Sequence, residues 1–330
     1  MTVSETSCPI SVFGEQLRPR VEIVEDALIT APRFDAATST TIGAVYGPAG
    51  NLITSSLRPA ALVTYWPGDP ASINAKTFAA EEELDEAIFA GTFMYAWGHF
   101  LLETLTTAYA AALTPPNAPV IFVDLPPRPD DAYGDSFRRH VQPLLAEAWR
   151  GREIRLVRAT TRVRKLHLVG RLAAFGMQES RELHPAAGEV FARLRGAFGR
   201  PREPGLRLVM QRRANHRRYT QTENDIYAAL AKSDAQLIDM QALTAPEQIA
   251  TISRAETIIG FSGSMLHNSM FAHPGATVVE ISDSVKRRLP NRMQEDLAAI
   301  CGHTHRFAHS RNEDLTLRPA AEVLAELGLP

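Results

Sequence analysis

The chain has 330 residues, 45% of them hydrophobic, and its 35 basic and 37 acidic side chains leave a net charge of −2. That length suggests about two domains with a substantial core in each, and the composition excludes a disordered or fibrous chain. Near-neutral charge argues against a general nucleic-acid binder, and the two cysteines, Cys8 and Cys301, form neither a disulfide framework nor a metal-ligand pattern.

No segment reaches the roughly 18 uninterrupted apolar residues of a membrane-spanning helix; the nearest, 93–113, carries His99 and Glu103. Residues 1–10 include Glu5 and lack a basic cluster before an apolar run, so no secretory signal is read there. The expectation is a soluble cytoplasmic protein without a transmembrane segment, association with a membrane surface staying open.

Residues 21–66 are β-rich. Short strands are expected at 21–24 and 27–30, and at 41–46 and 52–55 around the hairpin loop Gly47-Pro48-Ala49-Gly50. The acidic run 81–86 reads as a solvated surface segment. From Trp97 the spacing of Leu101, Leu102, Leu105, Ala108 and Tyr109 predicts a helix with one buried face. Strand 119–125, helix 136–149, strands 153–157 and 166–169 and helix 190–198 follow. Such alternation argues for α/β layers with a mainly parallel sheet.

The run 196–205 concentrates glycine, proline and charge and marks the domain boundary, so domains of 1–200 and 201–330 are expected. Beyond it come strand 206–210, helix 221–232, strand 236–240, helix 245–254, strand 257–260, helix 264–272 and strand 277–281. Thr220…Glu223 and Thr244…Glu247 have capping-box spacing. This half reads as a Rossmann-type domain.

Three features of it lie at the carboxyl ends of predicted strands, where open α/β sheets bind ligands. Arg212 and Arg213 follow strand 206–210. The turn Gly260-Phe261-Ser262-Gly263-Ser264 leads from a strand into a helix, and Glu280 sits near the end of 277–281. Small residues before a helix expose backbone N–H groups to a phosphate, and arginine adds charge-assisted hydrogen bonds. Arg217 and Arg218 read as a solvated helix approach. In the first half His99 and Glu103 stand at i and i+4 on one helical face. A carboxylate one turn away can orient an imidazole that acts as general base, or Glu103 can itself be the base. Asp130-Asp131 sits in a proline-rich loop and reads as surface rather than as a metal site.

The segment Leu206-Arg-Leu-Val-Met-Gln-Arg212-Arg-Ala, then Pro246-Glu247-Gln248-Ile249, then Gly260-Phe-Ser262-Gly-Ser264-Met-Leu-His-Asn268-Ser-Met-Phe and Pro274-Gly-Ala-Thr-Val-Val-Glu280, resembles glycosyltransferase family 61. His99-Phe-Leu-Leu-Glu103 is similar to the family's His-Trp-Leu-x-Glu. Ser262 stands where the family has histidine, and Thr106-Thr107 where it has Pro-Arg. The resemblance implies a GT-B-like fold of two Rossmann-like domains facing a central cleft. It implies an inverting, metal-independent transfer, without cofactor, from a nucleotide-diphosphate sugar such as a UDP-sugar to a glycan or polysaccharide hydroxyl. His99 and Glu103 would then be catalytic. Arg212, Arg213, Ser262, Gly263, Ser264, Asn268 and Glu280 would bind the donor. Two other readings stand beside it. Gly260-Phe-Ser262-Gly-Ser264 on a strand–turn–helix approximates a hydrolase nucleophile elbow, with Asp283 or Asp296 and His303 to complete a triad. A non-catalytic sugar-nucleotide or glycan binder is the third.

Overall fold

A computed structural model of the chain describes residues 21–31, 33–35, 40–42, 44–56, 79–124, 131–175, 181–213, 220–284, 288–314 and 316–329. The expectations for residues 1–10, Cys8, Asp130, Arg217 and Arg218 lie outside them. Two compact units are present, Met1–Val190 and Phe191–Pro330.

In the first unit the strands are β1 (Val21–Ile29), β2 (Arg33–Asp35), β3 (Thr40–Ile42), β4 (Val45–Tyr46), β5 (Glu82–Phe93), β6 (Val120–Asp124), β7 (Ile154–Val157), β8 (Thr161–Val169), β9 (Ala173–Phe175) and β10 (Arg181–Leu183). Six of them form one sheet in the order β4-β1-β8-β5-β6-β7. β8, β5, β6 and β7 run parallel, and β1 pairs antiparallel with β8 and β4. The sheet is thus mainly parallel as expected, with an antiparallel edge. The predicted strands 21–24 and 27–30 are one strand, kinked at Asp26 where φ is 49°.

The acidic run is largely exposed, as expected, but it is also regular structure. It is the outer half of the central strand β5, held by cross-strand charge: Glu86 meets Lys165 at 3.2 Å and His167 at 2.9 Å. Beyond it Ala87, Ile88, Phe89 and Ala90 are buried, because a strand covered on both faces reads as one continuous apolar run. Residues 52–55 differ from expectation too: Leu52 bridges Tyr46 to close the hairpin, and a 3-10 turn follows at Thr54–Ser56.

β5 runs into α1 (Trp97–His99), which widens into a π-helical turn at Phe100–Thr104 and continues as α2 (Leu105–Ala112). Its burial exceeds one face, since Thr106 and Thr107 are buried beside Leu101, Leu102 and Leu105. α3 (Asp131–Trp149) and α4 (Ala187–Phe198) complete the unit's helices, the division between units falling within α4.

The second unit holds β11 (Arg207–Gln211), α5 (Gln221–Leu230), β12 (Gln236–Asp239), α6 (Ala245–Arg254), β13 (Thr257–Phe261), β14 (Thr277–Ser282), α7 (Arg292–Cys301), β15 (Thr304–His309) and α8 (Ala320–Glu326). All five strands are parallel, in the order β12-β11-β13-β14-β15. β-Branched runs such as Ile258-Ile259 and Val278-Val279 fill the sheet interior, each buried side chain stabilising by about 1.5–3 kcal/mol. α6 begins with a complete capping box between Thr244 and Glu247, and α7 ends at Gly302, whose φ of 70° suits a residue without Cβ. Strand order reverses between β11 and β13, so the crevice beyond their carboxyl ends is where such a sheet takes a ligand. The expected helix 264–272 is instead a six-residue 3-10 helix, Leu266–Phe271, too short to supply the macrodipole of a regular helix. No helix among the described residues is long and apolar enough to cross a membrane.

Candidate active site

The carboxyl edge of the first unit's sheet carries His99. β5 is the strand where that sheet's order reverses, and the chain leaving it turns directly into α1. Thr104 Oγ1 takes the Met94 N–H at 2.9 Å and donates to Thr92 O at 3.3 Å, which fastens the wide turn to the strand end. π-Turns are uncommon and recur at functional sites. Here the turn sets Glu103 Oε1 at 2.6 Å from His99 Nδ1, with side-chain exposures of 8% and 19%. An Nδ1–H donated to a buried carboxylate fixes the tautomer and makes Nε2 the basic atom.

Four neighbours at the same edge were not singled out from sequence. Asp124 ends β6 with no exposure and accepts from the Tyr95 hydroxyl and from Arg158 Nε at 2.6 Å, while Arg138 lies at 3.6 Å. Arg138 also donates to the Tyr95 oxygen. Burial and the Asp124 carboxylate raise the Tyr95 hydroxyl well above the usual tyrosine range, so it stays a donor. The signal was present: Asp124 is the one charged residue in the predicted strand 119–125, one place before its end, and Arg158 follows the strand 153–157.

In the second unit Arg212 stands just past β11 at the switch point. Its guanidinium donates through Nη1 to Glu223 Oε1 and through Nη2 to Ser262 O at 3.2 Å, and it lies 6.0 Å from the Phe261 ring centroid. Arg212 therefore bridges the carboxyl ends of β11 and β13 and is itself buried. Arg213 points elsewhere: Nε donates to Asp239 Oδ2 at 2.8 Å, at the end of β12. Gly263 has φ 144°, and among the described residues no acceptor takes the backbone N–H of Gly263, Ser264 or Met265. Ser264 is exposed. Gly263→Ala should cost about 1–3 kcal/mol through backbone strain, read by urea denaturation.

Glu280 and Asn268 are not surface contacts, being buried to 0% and 1%. Glu280 accepts from Ser262 Oγ at 2.6 Å, meets His305 Nε2 at 3.1 Å and takes the Asn291 N–H at 3.2 Å. It supports the turn and the start of α7 from beneath. Thr220 and Glu223 form half a capping box: Glu223 N–H donates to Thr220 Oγ1 at 3.3 Å, but the carboxyl serves Arg212 instead.

The family profile described as Glycosyltransferase 61 matches residues 97–279, from the start of α1 into β14. The chain belongs to glycosyltransferase family 61. It is a glycosyltransferase, and takes a sugar donor and an acceptor. No curated protein matches the chain. In this glycosyltransferase the matched span takes in His99, Glu103, Arg212 and the turn at Ser262. The serine-hydrolase reading does not fit the geometry, because the Ser262 hydroxyl donates to a carboxylate, Glu280, where a nucleophile elbow needs an imidazole. Burial lowers His303 to about 4. Among the described residues no three His, Cys, Asp or Glu side chains cluster to hold a metal ion.

Proposed function

We propose that this glycosyltransferase is inverting and metal-independent, moving a sugar from a UDP-sugar to a hydroxyl of a glycan or polysaccharide. The observation that carries the reading is the His99–Glu103 pair, 2.6 Å apart at the carboxyl edge of the first sheet. Inversion in one displacement needs a base on the acceptor oxygen as it attacks the anomeric carbon opposite the leaving diphosphate. An imidazole oriented by a buried carboxylate suits that task.

The diphosphate is assigned to the second unit, at the β11–β13 crest. The Arg212 guanidinium and the backbone N–H groups of residues 263–265 would oppose the charge that develops on the leaving group. Arg213, Ser264, Asn268 and Glu280 are assigned to the same donor site, Glu280 through its hold on the Ser262 hydroxyl. On this reading residues 1–200 serve the acceptor and 201–330 the nucleotide sugar, the division of labour of a GT-B-type enzyme.

The test is a screen of UDP-sugars against glycan acceptors, followed by mass spectrometry. A new glycoside should form at an undiminished rate in excess EDTA. Activity lost on chelation and restored by Mn²⁺ would overturn the metal-independent reading. Bound UDP-sugar with no product from any acceptor would favour a binding protein.

A further inference from the structure

Glu223 occupies the third position of α5, where a glutamate ordinarily turns back to the N-cap. Its carboxyl instead goes to Arg212 Nη1 on one oxygen and takes the Tyr227 hydroxyl at 3.4 Å on the other. Glu223 is 0% exposed and Arg212 is 8% exposed, so the pair is out of bulk water. The titratable groups facing it come from three places. Arg212 stands at the end of β11, Tyr227 lies one turn on in α5, and Asp283 beyond β14 adds repulsion. α8 packs on the same cluster through Val323 and Leu324, while Glu322 and Glu326 face solvent and Glu326 pairs with Arg318 at 2.7 Å.

We propose that Glu223 is the proton-accepting counter-ion of the donor site: a nucleoside diphosphate that settles against Arg212 draws one proton onto the Glu223 carboxyl. The inference rests on the donor reading above. In the empty site one carboxylate balances one guanidinium. The diphosphate brings further negative charge to that same guanidinium, and at low local dielectric a second anion beside a carboxylate favours its neutral form. Burial already holds the carboxyl at about 7 against the pull of Arg212, so little extra charge is needed near neutral pH. The proton comes from solvent and forms one O–H bond. It returns to solvent when the diphosphate leaves and Arg212 regains an ionised partner. Glu223 is a positioning residue: it holds Arg212 across the two strand ends while the site is empty and yields it, neutralised, to the donor.

The experiment is calorimetry of UDP binding to the full chain at about pH 8, in HEPES and in Tris, whose ionisation enthalpies differ. The wild type should take up between about half a proton and one proton per UDP, and Glu223→Gln close to none. Wild-type affinity should also fall by about five- to tenfold from pH 7.5 to 8.5, where UDP is fully ionised, while that of the variant stays level. Equal proton counts with UDP still bound overturn this inference and leave the donor reading standing. A wild-type count of zero does the same without any variant. No binding of UDP removes both.

Discussion

Replacing His99 with alanine is expected to lower kcat by about 10²–10⁴-fold while leaving donor affinity nearly unchanged. The size follows from the role. Without a base, the acceptor hydroxyl must attack while still holding its proton, and water is a poor substitute. The split between kcat and donor binding follows from position, since His99 belongs to the first unit and the diphosphate is assigned to the second. Glu103→Gln keeps the shape of the pair but offers Nδ1 a neutral partner, so it should lose part of the same rate. Full turnover in His99→Ala together with a dead Glu103→Gln would exchange the two roles. Activity in both folded variants would make the pair structural.

The second large effect is on stability. Arg212→Met should destabilise the fold by about 3–5 kcal/mol above pH 7, because it strands the fully buried Glu223 without its cation. Combining it with Glu223→Gln should recover a large part of that loss, since the stranded charge is then gone. The pH dependence has a definite sign. Burial raises the Glu223 carboxyl in the folded protein to about 7, above its ordinary value of 4.5. The folded state therefore binds the proton more tightly than the unfolded chain, and Glu223 contributes stability that is complete below about 4.5 and lost as pH rises through about 7. Removing the cation pushes the carboxyl higher still. The Arg212→Met deficit should consequently be smaller at pH 6 than at pH 8 in urea denaturation. A deficit independent of pH, unrelieved by Glu223→Gln, would show that Arg212 acts through packing alone.

Legibility in the sequence tracks how local each cause is. α6 spans the expected 245–254 because its cap, its proline near the start and its buried Ile249 and Ile252 all lie within ten residues. β11, β12, β13 and β14 fall where expected, as buried parallel strands are apolar runs between polar turns. The outer half of β5 was hidden because Glu86 is stabilised by Lys165 and His167 on another strand, far along the chain. α7, β15 and α8 were not anticipated either. In the site, His99 and Glu103 share one turn, and their pairing was visible as an i, i+4 spacing. The Asp124–Tyr95–Arg158 contacts join three strand ends and depend on sheet order, which spacing does not contain. In the sequence Arg212 reads as a ligand contact alone, because Glu223 has capping-box spacing from Thr220. The competition between those two partners is settled by burial, which a lone cap interaction at the surface would not require.

A single inverting displacement, with the acceptor proton taken at the first unit's sheet edge, fixes the configuration of the product. Its most direct test is the anomeric configuration of the product, read by proton NMR as the glycoside forms from an α-linked UDP-sugar. A β-linked product from its first appearance, absent in His99→Ala, is the predicted result. An α-linked product would mean net retention, and would contradict a mechanism in which one base and one displacement complete the transfer.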